Sequence, residues 1–168
     1  MKNYYLKILI KSAFGVWILI LIQSCGEQSK TEFELEKEAT DLDSETEIRK
    51  TIEDLYGVYT KSDLKWVDFY KDEYKLASDD GTVQEKYADS LRIEWKDIYN
   101  RYDVILKERG KPIISVSDNQ VFHYNTFNEI FIKKATKDTI ENIGTWIVLW
   151  KKQKDNSWKI EFETYHAK

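Results

Sequence analysis

The chain is poor in the residues that build covalent and metal-based sites. Its 168 residues include one cysteine, one proline and two histidines. A lone cysteine, Cys25, excludes an internal disulfide and any thiolate metal cluster. The histidines, His123 and His166, stand outside any HExxH pattern, so the zinc-protease arrangement is absent. No GxGxxG or phosphate-loop glycine pattern occurs, and no serine sits in an elbow motif. The acidic "SDDGT" of 78–82 is too short for a calcium loop and reads as a turn. A basic excess is also missing, since 30 acids face 26 lysines and arginines. No nucleic-acid partner is therefore expected, and no cofactor or metal either.

The charge that is present is unevenly spread. Residues 1–24 hold Lys2, Lys7 and Lys11 and no acid, and the stretch 27–47 holds nine acids against Lys30 and Lys37. The remainder, 48–168, is balanced. Behind the first lysines an unbroken apolar run extends from Ala13 to Ile22. Ten residues rise about 15 Å as a helix, half of a bilayer core, which is the pattern of a secretory signal. An uncleaved anchor is the alternative, since the run lengthens if Lys11 is included. The run ends in "IQSC", which resembles the bacterial lipoprotein box of aliphatic residue, small residue and cysteine. That resemblance implies cleavage before Cys25 and lipidation of its sulfur. With Gly26 rather than aspartate next, it implies an outer-membrane destination in the cell envelope. The expected organisation is a signal peptide over 1–24, a lipidated Cys25 with an acidic flexible tether over 25–43, and a folded domain over 44–168.

Within the domain, Ser44 and Glu47 form a possible capping box ahead of Ile48, Ile52, Leu55, Tyr56 and Tyr59, spaced for a helix over 45–60. Ser62 and Asp63 can cap a second, shorter helix. "YKLAS", 74–78, reads as a strand. Thr82 and Glu85 make another capping box, and Tyr87, Leu91, Trp95, Ile98, Tyr102 and Ile105 predict a third helix of roughly 83–108, although "YDVILKE" also suits a strand. After Pro112 the period changes to two, through "IISVS", "QVFHYNTFNEIFIKK", "GTWIVLWKK" and "SWKIEFETYH", with turns near 118–119, 135–142 and 155–156. The expected fold class is α+β, with three N-terminal helices packed on a strongly curved antiparallel sheet.

This order resembles the cystatin-like α+β cone superfamily, which includes nuclear transport factor 2-like and SnoaL-like domains. The residues that carry the resemblance are "IRKTIEDLYGVYTKSDLKWVDFYKDEYKLASDDG" (48–81) and "GTWIVLWKKQKDNSWKI" (144–160). It spans 45–166 and implies a cone that is often hollow. Pairing Trp150 with Ile160 would place Trp146, Val148 and Trp150 on one face with Trp158, Ile160, Phe162 and Thr164, because Lys159, Glu161 and Glu163 alternate with them. The candidate pocket residues are then Tyr56, Trp66, Trp95, His123, Trp146 and Trp150. Some relatives implied by the resemblance are isomerases and cyclases, which use a carboxylate base. Aligned with that pattern, Ser78 stands at the place of the base with Asp79 one residue later, and Leu55 stands at the place of the oxyanion tyrosine with Tyr56 adjacent. His123 and Asp79 are the candidates for a general base. His166 lies near a position where relatives carry a further histidine.

Three functions follow as expectations. The first is a lipid-anchored binding domain, without catalysis, for a small apolar ligand or a protein partner. The second is an isomerase- or cyclase-type enzyme. The third is a structural module that forms a homodimer through the open sheet face.

Overall fold

The computed structural model describes residues 31–167. The expected signal peptide, and Cys25 with the start of the tether, lie outside the described residues. The chain divides into two units at Glu38/Ala39, and the architecture below is that of the second, Ala39–Lys168.

The first helix, α1, runs Glu32–Tyr59 and so begins well before residue 45. Its start is set by a capping box the sequence reading passed over. Thr31 Oγ1 accepts from the Glu34 amide (3.3 Å) and Glu34 Oε2 accepts from the Thr31 amide (3.1 Å). The acids of this stretch fall in the first turns, where negative charge complements the helix dipole. Residues 32–43 are therefore helical rather than a loose tether, and Ser44 is a buried residue inside the helix instead of its cap. The C-terminal half buries Ile48, Ile52, Leu55 and Tyr56, one stripe at three- and four-residue spacing.

A short 3-10 helix, Leu64–Phe69, follows. Asp63 caps it by accepting from the Lys65 amide. The chain then enters β1, Tyr70–Ala77, and turns back as β2, Val83–Tyr87. Asp80 Oδ1 accepts from both the amide and the hydroxyl of Thr82, and Gly81 adopts φ +85°. Thr82 is thus committed to a turn and cannot cap a helix there. Helix α2 is confined to Ala88–Arg101, and the chain passes directly into β3, Tyr102–Arg109. The expected helix of 83–108 has become strand, helix and strand. Three helices in succession do not occur, because β1 and β2 intervene.

Strands β4 (Ile113–Ser117), β5 (Gln120–Lys133), β6 (Thr139–Lys152) and β7 (Trp158–Ala167) complete a seven-stranded sheet. Its order is β2-β1-β7-β6-β5-β3, with β4 also paired to β5. All pairs are antiparallel except β1 with β7, which run parallel, so the sheet is mixed rather than antiparallel. Its inner face presents Val121 and His123 on β5, Val148 and Trp150 on β6, and Ile160 on β7. These pack with Ile48, Ile52 and Leu55 in one core.

The β6–β7 register departs from the expected one at a single point. Trp150 pairs with Ile160, but Leu149 pairs with Phe162, so Glu161 is an extra residue. This bulge reverses the facing of everything beyond it. Glu163, opposite Val148, turns inward and is buried, whereas Phe162 and Thr164 go to the outer face. The outward Glu161 accepts from Lys71 Nζ of β1 at 2.7 Å. Phe122 and Tyr124, Ile147 and Leu149, and Phe162 form an apolar outer surface.

Gly144 sits where strands approach too closely for a side chain. A Cβ there would lie 2.2 Å from the His166 carbonyl oxygen and 2.9 Å from the Phe127 ring. The first obstacle is backbone and cannot turn aside. Gly144→Ala is expected to lower stability by about 2 kcal/mol, seen as a reduced denaturant midpoint with an unchanged slope. An unaltered midpoint would mean the β6–β7 end can shift freely.

Candidate functional site

Beyond the filled core, the inner face opens into a cavity of about 540 Å³. Its residues come from every layer: Tyr56 and Tyr59 from α1, Trp66 from the 3-10 helix, and Tyr70, Tyr74 and Leu76 from β1. Leu91, Trp95 and Ile98, at helical spacing on α2, cover it. The sheet contributes Phe127, Glu129 and Phe131 of β5, Asn142 and Trp146 of β6, and Glu163 of β7. The rings meet edge to face. Trp66 stands 5.6 Å from Tyr59, 5.8 Å from Tyr70 and 5.1 Å from Trp95, with interplanar angles of 71–83°. Such pairs are favourable at these separations and too rigid to collapse further.

Two carboxyl groups project into this aromatic chamber. Glu163 Oε2 accepts from the Tyr70 hydroxyl and from the Trp146 indole, both at 2.7 Å. Glu129 Oε1 accepts from the Tyr59 hydroxyl at 2.7 Å, and Oε2 accepts from Asn142 Nδ2 at 3.5 Å. Burial raises the pKa of each above the ordinary carboxylate value, and the phenol, indole and amide donors offset this in part. They do not act as a pair. Glu129 lies opposite Asn142 and Glu163 opposite Val148, six positions apart along β6, or roughly 20 Å of strand. A shared proton is excluded at that separation.

Of the six residues read as pocket candidates, Tyr56, Trp66, Trp95 and Trp146 line the cavity, while His123 and Trp150 do not. The latter two are wholly buried in the core beside it. The Trp150 indole donates to His123 Nδ1 (3.2 Å), so the ring proton resides on Nε2, which donates to Asn125 Oδ1 (2.7 Å). Asn125 Nδ2 donates to the Tyr56 hydroxyl (3.2 Å), linking this chain to the cavity wall. With both nitrogens engaged, His123 has no lone pair to offer a substrate. Asp79 is exposed in the β1–β2 turn, outside the cavity. Ser78 does line the cavity, as does Leu55 next to Tyr56. His166 is exposed near the end of β7. Among the described residues, no group of three or more His, Cys, Asp or Glu is placed to hold a metal.

Solved structures of other proteins share this fold. A nuclear transport factor 2-like superfamily protein from Salmonella enterica serovar Typhimurium superposes with a TM-score of 0.61 at 15% identity, over 73% of this chain and 89% of that one. The domain has the nuclear transport factor 2-like fold. A ketosteroid isomerase-like protein from Erwinia carotovora atroseptica matches with a TM-score of 0.54 at 14% identity, over 73% and 94% of the two chains. A protein with a cystatin-like fold from Nostoc punctiforme gives 0.55 at 10% identity, over 74% and 90%. No protein-family model and no curated protein sequence matches the chain. At these identities the likeness establishes the nuclear transport factor 2-like fold and leaves the chemistry to this chain's own residues.

Glu129 and Glu163 are the site residues that sequence reasoning missed. Glu129 falls in phase with Phe127 and Phe131 on the inner face of β5, so alternation alone could have found it. Glu163 could not be found that way, because its facing depends on the bulge.

The buried imidazole gives a pH test. Burial pushes the His123 pKa down from 6.5 to about 4. Between those values the unfolded chain binds a proton that the folded one refuses. His123 therefore costs stability progressively as pH falls from about 6.5 to about 4, on the order of 3 kcal/mol in all. The buried carboxyls act in the opposite sense, taking up protons earlier in the folded state, so the ring itself is the observable. Nitrogen-15 NMR is expected to show His123 as a neutral Nε2–H tautomer down to about pH 4. Protonation near 6.5 would contradict the network.

Proposed function

We propose that the chain is a lipid-anchored protein of the bacterial outer membrane, whose domain binds a small, largely apolar molecule in the aromatic cavity. The observation that carries this reading is the cavity itself: about 540 Å³, walled by aromatic rings that pack edge to face on one another, with Glu129 and Glu163 in its lining. A volume of that size suits one small molecule. The rings provide apolar contact and Glu129 and Glu163 provide the few polar contacts that fix orientation. Anchoring rests on the lysine-bearing start, the apolar run 13–22 and "IQSC" ending at Cys25. Among the described residues no helix is long and apolar enough to cross a membrane. An enzymatic reading with His123 or Asp79 as base is not favoured, since one is hydrogen-bonded at both nitrogens within the core and the other lies outside the cavity.

Native mass spectrometry of the full chain, solubilised from the membranes of its own host, tests both parts. The expected spectrum carries the mass of acyl chains on a chain that begins at Cys25, together with a reproducible small molecule released on unfolding. Cys25→Ser is expected to lose the acyl mass and keep the small molecule. An unmodified full-length mass would remove the lipid anchor in favour of the uncleaved apolar run, and an empty cavity in every preparation would count against the ligand.

The outer sheet face supports a second role beside the first. Phe122 is 44% exposed, its ring lies 6.0 Å from that of Tyr124, and Leu149 and Phe162 continue the patch across β6 and β7. A second copy of the chain, meeting this face with the same face, would cover it symmetrically. Light scattering is expected to give a dimer for the native chain and a monomer for Phe122→Asp. A native monomer would leave the patch without this role.

A further inference from the structure

The cavity's polarity is one-sided. Its charged residues are Glu94, Glu129 and Glu163 against Lys86 alone. Among the described residues neither Glu129 nor Glu163 takes part in an ion pair. The cation beside the cavity's inner end, Arg109, lies over the Tyr56 ring (4.3 Å to its centroid), is ion-paired with Glu53 and does not line the cavity. Two carboxyl groups are therefore held in a largely aromatic chamber with donors but, among the described residues, no ion-pair partner.

The surroundings of Glu163 are more specific than an acidic patch. This side chain is 7% exposed. Both of its donors, Tyr70 and Trp146, go to Oε2, which restrains the carboxyl and, among the described residues, leaves Oε1 without a donor. Tyr70 and Tyr74 stand 4.8 Å apart, and both, with Tyr165, lie within the electrostatic reach of Glu163. Glu94 of α2 acts on Tyr74 and Tyr165 as well, so a second acid closes the same corner. A carboxylate floor with aromatic walls is the chemistry that recognises an organic ammonium group. The ring faces attract the cation through their quadrupoles, and the carboxylate gives a charge-assisted hydrogen bond or close ion pair. A neutral apolar molecule would leave Oε1 buried and unpartnered. An organic anion would face Glu94, Glu129 and Glu163, with Lys86 the one cationic residue of the lining.

Resting on the reading of the cavity as a ligand site, we propose that it selects an organic amine in its protonated form, with the ammonium group at Glu163 between Tyr70, Tyr74 and Trp146 and an apolar or aromatic body along Tyr59, Trp66 and Trp95. Burial raises the pKa of Glu163 in the empty domain, and a bound ammonium reverses that by supplying the missing charge.

Three probes share one skeleton and differ in charge: 2-phenylethylammonium, 2-phenylethanol and phenylacetate. Isothermal titration calorimetry on the detergent-solubilised full chain at pH 8 is expected to rank the cation first, by about tenfold over the alcohol, with phenylacetate weakest. Glu163→Gln, which keeps the shape and the Tyr70 and Trp146 partners within reach, is expected to reduce the cation's advantage to about threefold or less. Glu129→Gln, at the other end, is expected to retain most of it. Equal or tighter binding of the alcohol or of phenylacetate would overturn the amine assignment while leaving the cavity a ligand site. An undiminished preference in folded Glu163→Gln would overturn the role given to Glu163. No binding of any of the three would count against both the amine and the ligand reading.

Discussion

One extra residue in β7 determines what kind of interior this domain has. With Glu161 bulged outward and tied to Lys71, the strand beyond it is rotated by one position, and Glu163 faces the hydrophobic side of the sheet. An ionisable group there costs several kcal/mol unless it is met by donors or loses its charge. The neighbouring strands supply the donors: Tyr70 from β1, which runs parallel to β7, and Trp146 from β6, which runs antiparallel to it. Both are rigid rings with a polar tip, so satisfying the carboxyl also builds the wall around it. The parallel pairing of the first and last strands serves this arrangement, since it brings Tyr70 and Tyr74 to the same face as Glu163.

The inner face then divides into a dry end and a hollow one. At the dry end Trp150, His123, Asn125 and Tyr56 are joined in series by hydrogen bonds, which leaves no polar atom of that chain in want of water. Tyr56 is the partition: its hydroxyl ends the network and its ring meets that of Trp146 edge to face, 6.0 Å away, at the start of the cavity. At the hollow end the helices are tethered rather than pressed inward. Arg92 of α2 donates to the Leu64 carbonyl and the Asp68 carboxylate, and Lys134 Nζ donates to the Tyr99 carbonyl at 2.6 Å. None of the α2 residues is fully buried. The helix acts as a cover over a space that the aromatic pairs hold open.

Much of the fold was legible because hydrophobic period is a strong signal where elements are long. The stripe from Ile48 to Tyr59 and the alternation of β5 and β6 came directly from spacing, and four of the six aromatic pocket candidates do line the cavity. The failures were local competitions between motifs. Thr82 could cap a helix or close a turn, and Asp80 decided for the turn. Thr31 and Glu34 made the real capping box, ahead of the Ser44–Glu47 pair that looked equivalent. Charge density in 27–47 suggested a solvated tether, yet glutamates also favour helix and suit its first turns. Glu163 was the deeper miss. Alternation with Lys159 and Glu161 placed it outside, and a bulge has no signature strong enough in one sequence to reverse that inference.

The chamber makes better sense as a recognition site than as packing. A purely structural interior would be more stable with an amide or an apolar residue in place of Glu163, because the phenol and indole could then be satisfied without burying an ionisable acid. The same holds for Glu129, which has only Tyr59 and a long contact to Asn142. Separation along β6 removes the other common reason for two buried acids, a shared proton between paired carboxyls. Nor does the imidazole rescue a proton-transfer reading, since its acceptor nitrogen is already occupied by Trp150. What remains is a pair of separately held negative groups, fixed in direction by aromatic donors and without positive partners in the chamber wall beyond Lys86. A free energy cost borne by the empty domain and relieved by a bound cation is a sufficient physical account of why both acids face inward.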